Sequence, residues 1–180
     1  MIHFLKIFGW KLNINAIKST PKSIIIAAPH TSNWDFIVGI CAALASGIKF
    51  HFIIKKEWNK PIIGQLLLKL GAIFIDRSKP TGLTQQMVEK YRSMTDGHLI
   101  FTPEGTRSKV QKWKSGFYII AHESQLPISV GYINYKNKTI GIDHTFYPTG
   151  NMVDDCKKLR TFYESITPKN KNNYNANWEI

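Results

Sequence analysis

Short apolar runs alternate along the chain with longer stretches in which apolar residues recur at helical spacing. Residues 23–28, with Ile24, Ile25 and Ile26 in succession, read as a buried strand, and 34–45 as a helix. Further strands are expected at 50–54, 72–75, 98–101 and 128–135, with a short one around Ile140. Pro61 suits the first turn of a helix over 61–70, and 116–123 reads as another. Leu83, Met87, Tyr91 and Met94 mark a helix over 83–95 that Gly97 closes. Met152, Cys156, Leu159 and Tyr163 share one face of a last helix over 152–164. Its early Asp154 and Asp155 and later Lys157, Lys158 and Arg160 match the helix dipole. This alternation predicts an α/β fold, a layered sandwich with a largely parallel or mixed central sheet flanked by helices.

No repeat or internal linker interrupts the pattern, so residues 1–166 read as a single domain. Residues 167–180, rich in asparagine and lysine, are expected to form a flexible tail. Residues 1–20 open with Ile2, Phe4, Leu5, Ile7, Phe8, Trp10 and Leu12 among Lys6 and Lys11. Two readings stay open there: a helix packed on the core, or an interfacial membrane contact. No run reaches the roughly 18 uninterrupted apolar residues of a membrane span. The nearest are 36–48 and 62–75, and Lys69 breaks the second. No small-residue cleavage pattern follows the first residues, so no signal peptide is expected.

Composition adds two constraints. With 180 residues, 43% of them hydrophobic, the chain can bury one core without staples. Cys41 and Cys156 are too few for a disulfide framework and read as packing residues in a reducing compartment. The formal net charge of +12 favours a negatively charged partner: nucleic acid, anionic lipid, an acidic carrier protein or a phosphorylated substrate.

Three polar clusters each follow a predicted strand: His30 to Asp35, Asp76-Arg77, and Glu104-Gly105-Thr106-Arg107-Ser108. If those strands are parallel neighbours, the clusters gather in the crevice beyond their carboxyl ends, where open α/β sheets bind ligands. In Pro29-His30-Thr31-Ser32-Asn33-Trp34-Asp35, a histidine in the loop could meet an aspartate in the first helical turn. The carboxylate would fix the imidazole tautomer and leave the other ring nitrogen as a general base. The same residues also suit a helix cap. In the third cluster Gly105 allows close backbone approach, Thr106 and Ser108 offer donors, and Arg107 a forked pairing with phosphate or carboxylate. A plain turn with a salt bridge fits that loop equally. Asp76-Arg77 at a strand end reads first as a solvated edge.

Rival chemistries find less support. A hydrolase using Ser32 or Ser108 would lack the G-x-S-x-G elbow. A metal site on His30, Asp35 and Glu104 would lack H-E-x-x-H and paired-cysteine spacing, and no metal is expected. A non-catalytic basic module would act on membrane or nucleic acid, but no nucleic-acid-binding motif is evident, and no nucleic acid is expected.

Taken together, the motifs resemble the glycerolipid acyltransferase family, whose best-known members acylate lysophosphatidic acid. His30 to Asp35 matches its H-x-x-x-x-D motif. Gly71-Ala72-Ile73-Phe74-Ile75-Asp76-Arg77 resembles the second block, Pro103 to Ser108 the third, and Leu126-Pro127-Ile128 the fourth. Lys114-Ser115-Gly116 resembles the element after the third block. Pro29 and Thr102 depart from the family, which commonly has asparagine and phenylalanine there. The resemblance implies transfer of an acyl chain from acyl-CoA or acyl-carrier protein to a lyso-lipid hydroxyl, 1-acylglycerol-3-phosphate by default, with no cofactor. His30 and Asp35 would be catalytic, Arg77 and Arg107 would hold an acceptor phosphate, and Glu104 and Gly105 would line the acceptor site. The expected lack of a signal peptide and the cysteine usage point to the cytoplasmic side of the inner membrane, peripheral or monotopic, and the net charge favours an anionic membrane surface.

Overall fold

The computed structural model describes residues 2–76 and 82–180. Among them six α-helices and seven β-strands alternate as α1(Ile2–Ile7), β1(Lys11–Asn13), β2(Lys22–Ala28), α2(Asn33–Ser46), β3(Phe50–Lys55), α3(Pro61–Lys69), β4(Ala72–Ile75), α4(Leu83–Ser93), β5(Gly97–Phe101), α5(Gly116–Glu123), β6(Ile128–Asn134), β7(Thr139–Phe146) and α6(Met152–Glu164). The strands form one sheet in the order β1-β7-β6-β2-β5-β3-β4. Every pairing is parallel except β6 with β7. The expected layered α/β sandwich with a mixed central sheet is thus what forms.

The isoleucine run explains why β2 is central. With side chains alternating across the sheet, Ile24, Ile26 and Ala28 face one layer, and Ile25 and Ala27 the other. The first layer is dense. Met87, Val88 and Tyr91 of α4, Phe117 and Ile120 of α5, and Leu159 and Tyr163 of α6 pack there on Ile73, Leu99, Ile128 and Val130. The second layer is thin. Val38, Cys41 and Ala42 of α2 meet Leu5, Ile133 and Ile140 near one end of the sheet. Both cysteines are buried and free.

The opening segment, for which a core-packed helix is one of two readings, holds a short helix and then a strand. Gly9, at φ +73°, ends α1 and turns the chain into edge strand β1. β1 comes so close to β7 that a Cβ on Gly141 would collide with the Asn13 carbonyl. The short strand expected near Ile140 runs to eight residues because β7 also pairs antiparallel with β6 as far as Phe146. Leu5 is buried, whereas Ile7 and Phe8 are exposed.

The expected flexible tail is instead packed. Trp178 is 1% exposed and stacks on Trp113 with ring centroids 3.7 Å apart. Backbone bonds between Trp113, Glu179 and Gln111 hold the end of the chain in place. The asparagine- and lysine-rich composition conceals Tyr174, Trp178 and Ile180, which join the core layer.

Candidate active site

β2 delivers the chain through Pro29 to His30, and Ser32 then caps α2. The Ser32 hydroxyl accepts from Trp34 N–H at 3.2 Å, and Asp35 Oδ2 accepts from Ser32 N–H at 2.8 Å. This is a reciprocal capping box. The same Oδ2 accepts from Thr31 N–H at 2.7 Å and stands 3.4 Å from His30 Nδ1. That separation lies at the loose end of hydrogen-bond reach. Cap and His–Asp pair are therefore one constellation: the cap holds the carboxylate rigid, and the carboxylate faces the imidazole. Asp35 Oδ1 accepts from the Tyr135 hydroxyl at 2.7 Å. Burial alone would raise the Asp35 pKa. Hydrogen bonds from His30, Tyr135 and the Ser32 and Thr31 N–H groups outweigh it and hold the carboxyl below its ordinary value. Burial, with the Asp35 hydrogen bond and charge, pushes Tyr135 upward, so it remains a donor.

Glu104 was expected to line the acceptor site. Instead it is buried, and both its oxygens accept from His30 N–H, at 3.0 and 3.1 Å. The third motif thus supports the first from beneath. Burial foremost, with the Asp35 charge, raises the Glu104 pKa to about 7 against the pull of the His30 N–H bond.

The next residue turns outward. Gly105 adopts φ +67°, and a Cβ there would lie 2.7 Å from the Lys114 side chain. Lys114 N–H donates to Pro103 O at 2.8 Å, which brings its side chain across this loop. Gly105, Arg107 and Lys114 all line the cavity that His30 and Asp35 enter. Thr106 and Ser108 are exposed outside that lining, and Ser108 N–H bonds to Thr106 Oγ1 at 3.3 Å. Arg77 lies outside the described residues.

The cavity runs between the sheet and α2 and encloses about 490 Å³. Ile25, Ile100, Phe52 and Ile142 form part of its floor, and Phe36, Gly39, Ile40 and Ala43 part of its roof. It follows α2 from Asp35 to Ser46, roughly 16 Å at the rise of an α-helix. Its walls are apolar, and its polar groups collect at the His30 end. No motif announced this channel, because its sheet side is built from residues scattered over six strands, β1, β2, β3, β5, β6 and β7.

Sequence reasoning also missed Tyr135 and the C-terminal segment. Asn170 Nδ2 donates to Thr31 O at 2.9 Å, and Asn170 N–H to Thr31 Oγ1 at 3.2 Å, so the chain end clasps the His30 loop. Lys169 lies 5.3 Å over the Tyr135 ring and 5.6 Å over Trp34. Only Lys114 had a signal, in its Lys-Ser-Gly motif ahead of α5. Ser32, one of the two nucleophiles of the hydrolase alternative, is committed to the cap. Among the described residues, no three His, Cys, Asp or Glu side chains group as metal ligands.

A histidine backed by a carboxylate thus opens on an apolar channel whose lining includes two cations, Arg107 and Lys114. Residues 11–133 match the model of the Acyltransferase family, and the chain belongs to that family. A 1-acyl-sn-glycerol-3-phosphate acyltransferase of Cocos nucifera is 40% identical over 83 residues, 42% of this chain and 27% of that protein. The Streptococcus pneumoniae protein of the same name is 28% identical over 165 residues, 83% of this chain and 61% of that one. Lysophosphatidylcholine acyltransferase 2 of Rattus norvegicus is 26% identical over 139 residues, 72% of this chain and 24% of that protein. The chain thus spans less than two thirds of the length of each of these relatives.

Proposed function

We propose that this protein transfers a fatty acyl group from a thioester, acyl-CoA or acyl-carrier protein, to the hydroxyl of a lysophospholipid, with 1-acylglycerol-3-phosphate as the preferred acceptor. The observation that carries this reading is the position of His30: braced by Asp35, it stands at the polar end of an apolar channel whose lining includes Arg107 and Lys114. The acyl chain occupies the channel along α2. Arg107 and Lys114 pair with the acceptor phosphate.

With Nδ1 facing Asp35, Nε2 of His30 takes the proton of the acceptor hydroxyl as its oxygen attacks the thioester carbonyl carbon. The carbon–oxygen bond forms, the carbon–sulfur bond breaks, and the imidazolium returns its proton to the departing thiolate. The products are an ester and a thiol. Asp35, held anionic by its donors, stabilises the imidazolium in between. No covalent acyl-enzyme is needed. We propose an anionic membrane surface, on its cytoplasmic side, as the site of the reaction; the +12 charge supports the anionic surface.

Mass spectrometry of products from a panel of lyso-lipids tests the acceptor. A diacyl product formed fastest from 1-acylglycerol-3-phosphate supports it. Faster acylation of a choline-bearing or amino-acid-containing lyso-lipid would replace it with that acceptor.

A further inference from the structure

Helix α3 buries almost nothing. Of its nine residues only Gly64 is buried, where the chain of Asn59 packs so closely that a Cβ would meet Asn59 Oδ1 at 2.5 Å. Ile62 and Leu66 stand one turn apart, on the side away from Gly64. They are 86% and 59% exposed, and Trp58, in the turn just before α3, is 55% exposed. Ile63 and Leu68 are exposed as well. Nine residues make a marginal helix in water, and a glycine supplies no apolar contact to hold it. Large apolar side chains on a helix face left exposed among the described residues mark a surface that something covers.

The charges around the helix say what covers it. Residues 55–69 hold Lys55, Lys56, Lys60 and Lys69 against Glu57, with Lys56 pairing with Asp76 at 3.2 Å, so the balance around the helix stays positive. Apolar side chains with a tryptophan and a rim of lysines suit the boundary between lipid headgroups and acyl chains. Position agrees. β3 runs parallel to β5, and β5 to β2, so the segment that follows β3 leaves the sheet at the edge where β2 delivers His30. Phe52, Ile53 and Ile54 at the end of β3 line the channel itself.

We propose that α3 and the preceding turn form the face that docks this protein on an anionic lipid bilayer, with the channel mouth beside the lipid. It rests on the acyl-transfer reading only in giving the docked protein a lipid to act on. A lyso-lipid and an acyl chain then reach His30 without crossing water.

The test is co-sedimentation of the full chain with vesicles of phosphatidylcholine alone or with added phosphatidylglycerol, comparing wild type with the Ile62→Ser, Leu66→Ser double variant. Neither side chain touches the core, so the fold is preserved. Wild-type binding rises with phosphatidylglycerol and falls with salt, and the double variant binds about tenfold more weakly. Turnover of a short-chain acceptor dissolved as monomers is the same in both proteins. Vesicle affinity unchanged in the double variant, or equal wild-type binding to both vesicles, overturns the proposal. A wild-type dimer that the double variant reduces to a monomer also overturns it, since a second copy then covers the face. Vesicle binding is read without turnover, so a failure of acyl transfer leaves this result standing by itself.

Discussion

The Tyr135 hydroxyl donates to Asp35 Oδ1 at 2.7 Å, across 100 residues of sequence. Asp35 thereby has separate partners on its two oxygens: Tyr135 on one, His30 and two backbone N–H groups on the other. Tyr135→Phe removes a hydrogen bond to a charged group, worth about 1.5–3 kcal/mol. Steady-state kinetics should show kcat lowered about tenfold or more with KM for the acceptor unchanged. An unchanged kcat would mean that the cap alone positions Asp35.

Glu104 gives the fold a pH dependence of known sign. Its folded pKa, about 7, lies above the ordinary 4.5, so the folded state keeps a proton that the unfolded chain releases first. The stability this contributes is complete below pH 4.5 and is lost as pH rises through 7, to a total on the order of 3 kcal/mol. In urea melts the advantage of wild type over Glu104→Gln should shrink between pH 5 and pH 8. A difference that is flat with pH would contradict a buried, late-titrating carboxyl.

Gly39 faces the channel, and a Cβ there meets nothing within 4 Å. Gly39→Leu should fill that space and move the donor preference toward shorter acyl chains, with the shortest thioesters little affected. An unshifted chain-length profile in competition assays would place the chain elsewhere.

Arg107 and Lys114 line the same cavity from one loop and its neighbour. Loss of a hydrogen bond to a charged phosphate costs about 1.5–3 kcal/mol. Arg107→Ala and Lys114→Ala should therefore each raise KM for an anionic acceptor about tenfold or more and leave KM for an uncharged lyso-lipid alone. Equal effects on both acceptors would remove the phosphate role.

The Trp113–Trp178 stack is where composition misled. Trp178→Ala should cost about 3–5 kcal/mol in urea unfolding. A loss under 1 kcal/mol would match a loose chain end instead.

The parts legible in the sequence are those written locally. Three isoleucines in a row mark β2, and His30 and Asp35 fall either side of a cap that Thr31, Ser32 and Asn33 spell out. The rest depends on contacts between distant positions. Tyr135 looks like one aromatic residue ending a strand until the fold brings it to Asp35. Asn170 looks like part of a polar tail until it reaches Thr31, 139 residues away. Glu104 reads as an acceptor-site residue or as half of a salt bridge in a plain turn because the loop around it is polar, yet it is buried and both its carboxylate oxygens accept from His30 N–H. The channel is absent from the sequence as a motif because depth between a helix and a sheet is a property of packing.

The most direct measurement is thiol release from palmitoyl-CoA or palmitoyl-acyl-carrier protein, with and without a lyso-lipid acceptor, for wild type and His30→Ala. Acceptor-dependent release that falls by about 100-fold or more in the variant is the predicted result. Release that needs no acceptor, or that survives loss of the imidazole, would contradict general-base acyl transfer at His30.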